Sequence, residues 1–127
     1  MDQALEILNK NGWFHIFSEG RIDFEKKGKV NQSTVLLPFR WGVGRLILES
    51  KIPPLVVCFY HSGLDQVMPE TFRFLRFPRI NQRITCLFGK VIDSSELIKS
   101  SNHMNPDAQR AFITNAIFKA TDRLCKF

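Results

Sequence analysis

The sequence predicts an α/β domain built on a short, mostly parallel sheet flanked by helices. Stretches with helical spacing alternate with short, solidly apolar runs bounded by proline and glycine, and such runs are characteristic of strands covered on both faces. A chain of 127 residues with 44% hydrophobic content is also the size of one packed domain.

Leu5, Ile7 and Leu8, in an otherwise polar stretch that ends at Asn9 to Gly12, predict a short amphipathic helix with a glycine stop. WFHIF at 13–17 is short, aromatic and bounded by turn residues, and predicts a buried strand. Ser33 is placed to cap a helix through LLPFRWGVGRLILES, with Pro38 tolerable only in its first turn. Gly42 and Gly44 weaken that helix but permit close packing.

LVVCFY at 55–60, entered through Pro53 and Pro54, predicts a second strand, and RITCLFG at 83–89, ended by Gly89, a third. The last element is a helix with Asn105 as cap, Pro106 at its first position and Asp107 in its first turn. It carries Ile113, Ala116, Ile117, Ala120 and Leu124 at helical spacing. Three strands and three helices make a thin sheet, which points to one part of a larger domain.

The formal charge of +6 and a pI near 9.6 suit a partner that carries phosphate: nucleic acid, an anionic membrane surface or a phosphorylated small molecule. Cys58, Cys86 and Cys125 are widely spaced and odd in number. They give no disulfide framework and no zinc spacing, and the first two sit in apolar runs where cysteine packs as a small hydrophobe. No apolar run approaches the roughly 20 residues that span a bilayer. The start, MDQALEILN, has two acids and no arginine, and reads as neither signal peptide nor transit peptide.

A general base would be one of three histidines. His15 lies between Phe14 and Ile16 and reads first as a packed core histidine. His61 has Asp65 four positions on, in a loop HSGLD that can orient its own side chains without catalysis. His103 has Asp107 at the same spacing, but Asp107 is better explained as a first-turn acid facing the helix dipole. No nucleophile elbow, P-loop or dinucleotide fingerprint is present.

FRFLRFPRINQR at 72–83 brings Arg73, Arg76, Arg79 and Arg83 close together among phenylalanines. It fits single-stranded nucleic acid, a membrane interface, or an edge whose charges block strand pairing. Residues 19–31, EGRIDFEKKGKVN, nearly repeat themselves at an offset of eight: Glu19, Gly20, Arg21, Ile22 and Asp23 become Lys27, Gly28, Lys29, Val30 and Asn31. One account is an eight-residue insertion that lengthens a surface loop, which is tolerated because closure entropy grows slowly with length; the other is a functional loop in which Glu19, Gly20 and Arg21 bind phosphate and Lys29 adds positive charge.

Taken together, HIF-x-EG at 15–20, FRWGVGRLI at 39–47 and H-x-G at 61–63 resemble the tafazzin group of the glycerolipid acyltransferase family. The resemblance runs from Met1 to about Ile92. It implies an incomplete glycerolipid-acyltransferase-type fold, with residues 1–127 as the C-terminal part of a single domain and the catalytic half upstream. It implies a transacylase that moves acyl chains between phospholipids and lysophospholipids to remodel mitochondrial cardiolipin. It further implies that no CoA or other cofactor is needed, and that the protein sits peripherally on a mitochondrial membrane, inner or outer, on the intermembrane-space side.

In the family, a strand ending in Phe-Pro-Glu-Gly delivers the loop that binds the acceptor phosphate. The corresponding residues here are Phe17, Glu19, Gly20 and Arg21, with Lys29 as added positive charge. Ser18 stands where the family has proline, and Cys58 where it usually has a second proline in the later strand. The family's His-x-x-x-x-Asp motif lies upstream of that loop and has no counterpart in this chain, so no catalytic residue is assigned and the chain is expected to be inactive by itself. Two other readings compete: part of an acyl-CoA-dependent lysophospholipid acyltransferase, and a non-enzymatic basic module that binds lipid surfaces. A nucleic-acid partner is the weakest alternative, since no recognised nucleic-acid-binding motif is present.

Overall fold

The computed structural model describes residues 2–20, 36–67 and 78–126, with the side chain of Asp65 excepted. The elements are α1 (Asp2–Asn9), α2 (Gly42–Glu49), β1 (Leu55–Ser62), α3 (Leu64–Val67), β2 (Thr85–Asp93), α4 (Ser94–Ser100) and α5 (Pro106–Cys125). The α/β class stands, but the sheet does not have the expected direction. Among the described residues it has two strands, β1 and β2, and they pair antiparallel from Leu55 opposite Asp93 to Ser62 opposite Thr85.

The expectation failed because an apolar run was read as covered on both faces. One face of the sheet is covered: Val56, Cys58 and Ile92 meet Val43 and Ile47 of α2 and Ile113, Ile117 and Leu124 of α5. The other face is open, with Leu55 68%, Phe88 71% and Val91 60% exposed. The strands are apolar on both faces, although among the described residues helices cover only one.

Between Val57 and Phe59 the register shifts: Val57 lies opposite Val91 but Phe59 opposite Phe88. Cys58 therefore faces two residues, Gly89 and Lys90, which is a β-bulge. β2 runs through Gly89 rather than ending there, and a Cβ on Gly89 would stand 3.2 Å from that of Cys58.

WFHIF is not a strand among the described residues; 12–17 lie outside regular structure. A strand needs a backbone ladder, and here the segment touches β1 through rings, His15 to Phe59, with centroids 5.9 Å apart. The helix expected from Ser33 is also shorter, only Gly42–Glu49. Proline pushes the residue before it out of the α region, and the Arg40 N–H donates to the Ser18 carbonyl at 2.9 Å, drawing the chain aside before α2 begins. Ser33 itself lies outside the described residues.

α2 crosses α5 closely because Gly44 has no side chain. A Cβ there would collide with the Arg110 carbonyl and lie 2.7 Å from Thr114 Oγ1, so Gly44 permits the close packing expected of it. α5 is as the sequence predicts. Asn105 Oδ1 accepts from the Ala108 N–H at 2.8 Å, Pro106 opens the helix, and Ile113 and Ile117 are buried at 0% and 4% exposure. α4 was not anticipated; Asp93 ends β2 and caps it, accepting from the Ser95 N–H at 2.9 Å.

Candidate functional site

The turn at 17–20 holds the first two of the four residues expected to bind phosphate. The Gly20 N–H donates to the Phe17 carbonyl at 3.0 Å. Gly20 sits at φ +66°, a left-handed conformation that costs glycine little and most residues more. Glu19 is half-buried. Its charge reaches Cys125 at the end of α5, although burial and Asp122 contribute more to pushing that thiol up to about 11. Arg21 and Lys29 lie outside the described residues, as do the repeat containing Lys29 and the arginines Arg73 and Arg76.

Arg40 is at this turn, a residue that the motif reading passed over. Besides the bond from its backbone to Ser18, its side chain lies across Gly20: a Cβ on Gly20 would stand 2.7 Å from both Cδ and Nε of Arg40. The two segments are separated by 20 positions, and no spacing rule joins them. The only signal was the run FRWGVGRLI itself, read for helix formation and family likeness rather than for a cation.

The histidines do not form a catalytic pair with an acid among the described groups. His15 is exposed rather than packed in the core, with its ring 4.8 Å from Phe17. His61 is half-buried on β1, its ring 5.7 Å from Phe59. Asp107 is taken by Arg110, whose guanidinium donates to it at 3.3 Å, and His103 is left exposed. His15, Phe17, Phe59, His61 and Phe88 form a continuous array, with Phe59 and Phe88 5.0 Å apart. The alternation of Phe59 with His61, and of His15 with Phe17, was the visible trace of that array.

Cys58 is buried, and Cys86 exposed, so the small-hydrophobe reading holds for the first and not for the second. Among the described residues no three of His, Cys, Asp and Glu come together as a metal site, and no helix is long and apolar enough to cross a membrane. Arg79 and Arg83 are exposed beside Ile80, which is 85% exposed.

No family model matches the chain, and no solved structure does. Among curated proteins, a Dictyostelium discoideum protein named taffazin is 32% identical, over 87% of this chain and 40% of its own length. An Arabidopsis thaliana N-acylphosphatidylethanolamine synthase is 26% identical, over 86% of this chain and 39% of its own. Drosophila melanogaster tafazzin is 29% identical, over 85% of this chain and 26% of its own. The resemblance carried by the HIF-x-EG and FRWGVGRLI motifs is thus borne out: the chain is tafazzin-like, over most of its own length and over two fifths or less of the length of these relatives.

Proposed function

We propose that this chain is the acceptor-binding, C-terminal part of a tafazzin-like acyltransferase, which moves acyl chains between phospholipids and lysophospholipids at a mitochondrial membrane surface, with cardiolipin as the remodelled lipid. The supporting observation is that the likeness to taffazin extends over 87% of the chain, a chain that carries a left-handed turn at Gly20. The second relative named above makes an N-acylated phospholipid by its name, so both likenesses lead to an acyl group on a phospholipid.

Acyl transfer needs an acceptor hydroxyl held in line with a base that deprotonates it. Residues of this chain would serve the first need. Gly20 lets backbone approach an anion, Arg21 pairs with phosphate, Lys29 adds charge, and Glu19 holds the arginine or the acceptor hydroxyl. They do not serve the second, since five positions beyond His15, His61 and His103 stand Gly20, Gln66 and Ala108 rather than aspartate. Removing a general base alone lowers rates by about 10²- to 10⁴-fold.

The 127-residue chain is therefore expected to give no acyl transfer above a heat-killed control, and transfer above it would refute the assignment. In a protein that carries an in-frame His-x-x-x-x-Asp upstream, Glu19→Ala should lower turnover about a hundredfold through misplacement of the acceptor. Activity retained without CoA separates this reading from an acyl-CoA-dependent enzyme.

A second reading is favoured by the exposure of Trp13 (86%), Phe17 (71%) and Trp41 (62%). Aromatic rings and cations together suit the headgroup level of a membrane. A lipid-surface module would bind cardiolipin vesicles in a salt-sensitive way, and that binding would survive Glu19→Ala.

A further inference from the structure

The family resemblance assigns the turn at 17–20 to the acceptor phosphate and gives Arg40, within FRWGVGRLI, no role. The fold ties Arg40 to that turn twice. Its N–H is held by the Ser18 carbonyl at 2.9 Å, and its side-chain stem lies against the face of Gly20 that any other residue would fill with a Cβ, 2.7 Å from Cδ and Nε. The absence of a side chain at position 20 thus has a second consequence beside the positive φ: it leaves the space in which the guanidinium lies. Among the described residues that guanidinium has no hydrogen-bond or ion-pair partner, and Arg40 is exposed.

We propose that Arg40 is a further cation that grips the acceptor phosphate at this turn. The proposal rests on the reading above, that the turn receives the acceptor. A guanidinium keeps its charge at every physiological pH and presents parallel N–H groups that match two phosphate oxygens. Fixed at its backbone by Ser18 and along its stem by Gly20, Arg40 gives up less side-chain freedom on binding than a free surface arginine does. Phe17, on the turn, and Trp41, next in sequence to Arg40, are both exposed apolar groups, and they favour a phosphate that carries a glycerolipid body over free phosphate.

The test is a titration of the ¹⁵N-labelled 127-residue chain, followed by nuclear magnetic resonance, with two probes: inorganic phosphate and dihexanoyl phosphatidylglycerol, a soluble phosphodiester. In the unmodified chain the Gly20 amide and the Arg40 Nε–H signal should both move, and the lipid should bind more tightly. Arg40→Gln should weaken both probes about tenfold, the loss typical of one charged hydrogen-bonded partner. Arg40→Lys should recover part of that loss, and Gly20→Ala, which displaces the guanidinium, should behave like Arg40→Gln. Unmoved amides at Ile113 and Ile117 establish that each variant is folded.

If Gly20 responds but the Arg40 Nε–H does not, or Arg40→Gln binds as before, the assignment of Arg40 is wrong while the turn remains the acceptor site. If neither probe moves Gly20, the reading of the turn fails and Arg40 with it. If inorganic phosphate binds and the lipid does not, the site takes an anion but no lipid headgroup, which also overturns the proposal.

Discussion

Cys125 and Ser94 are two side chains whose surroundings determine their chemistry. Burial, with Asp122 and Glu19 as lesser causes, raises the Cys125 thiol from its ordinary 9.0 to about 11. A raised thiol pKa in the folded state means stability that is fully present below pH 9 and is lost as pH climbs through 11. Alkylation at pH 8 should accordingly label exposed Cys86 first, with Cys125 gaining reactivity only at higher pH. Peptide mapping by mass spectrometry after timed alkylation checks the order, and equal rates for Cys86 and Cys125 would contradict it. The Ser94 hydroxyl is fully buried and finds no hydrogen-bond partner among the described residues. Replacing an unsatisfied hydroxyl by a methyl group removes a desolvation cost, so Ser94→Ala should be neutral or raise stability by up to about 1 kcal/mol in urea denaturation.

At the scale of elements, success depended on local signals. α5 was legible because cap, proline and apolar spacing all act within one segment. α4 is equally local: Asp93 followed by Glu96 is a capping signature, but Leu97 and Ile98 are the only large apolar residues that follow it in Ser94–Ser100, too few to show helical spacing. The direction of the sheet was not local, since LVVCFY has the same composition whichever way its neighbour runs. The meeting of α2 and α5 was legible only as a pair of glycines. Gly44→Ala would gain about 1 kcal/mol in helix propensity, yet its Cβ meets the Arg110 carbonyl and Thr114 Oγ1, an overpacking that costs about 1–3 kcal/mol. A net loss of stability in thermal or urea unfolding is expected, and a stabilised variant would mean that the helices separate easily.

At the scale of the molecule, the core formed by the described residues lies on one side of the sheet. The other side presents Leu55, Val57, Phe88 and Val91, each at least half exposed, along with the ring array that links His15 to Phe88. An apolar face of this kind binds hydrophobic dyes, and Val57→Thr with Phe88→Thr should reduce such fluorescence while leaving the unfolding midpoint nearly unchanged. A large fall in the midpoint would place those side chains in the core instead. Of the expected phosphate-binding residues, Glu19 and Gly20 are proposed from the sequence because they are contiguous with a recognisable motif, and the structure places both in one turn. Arg40 was hidden because only the folded chain brings it across 20 positions to Gly20.

The bulge opposite Cys58 determines which changes of length the sheet can absorb. Phe88 and Val91 lie on the open face, and Gly89 and Ile92 on the packed one, so one residue of β2 is surplus to a strict two-residue alternation. Deleting Lys90 leaves every neighbour on its present face and only straightens the strand. Deleting Leu87 removes a paired residue and forces everything to one side of the gap to exchange faces. A lineage could therefore shed a residue at 90 silently, whereas the same loss three positions earlier would turn the sheet inside out.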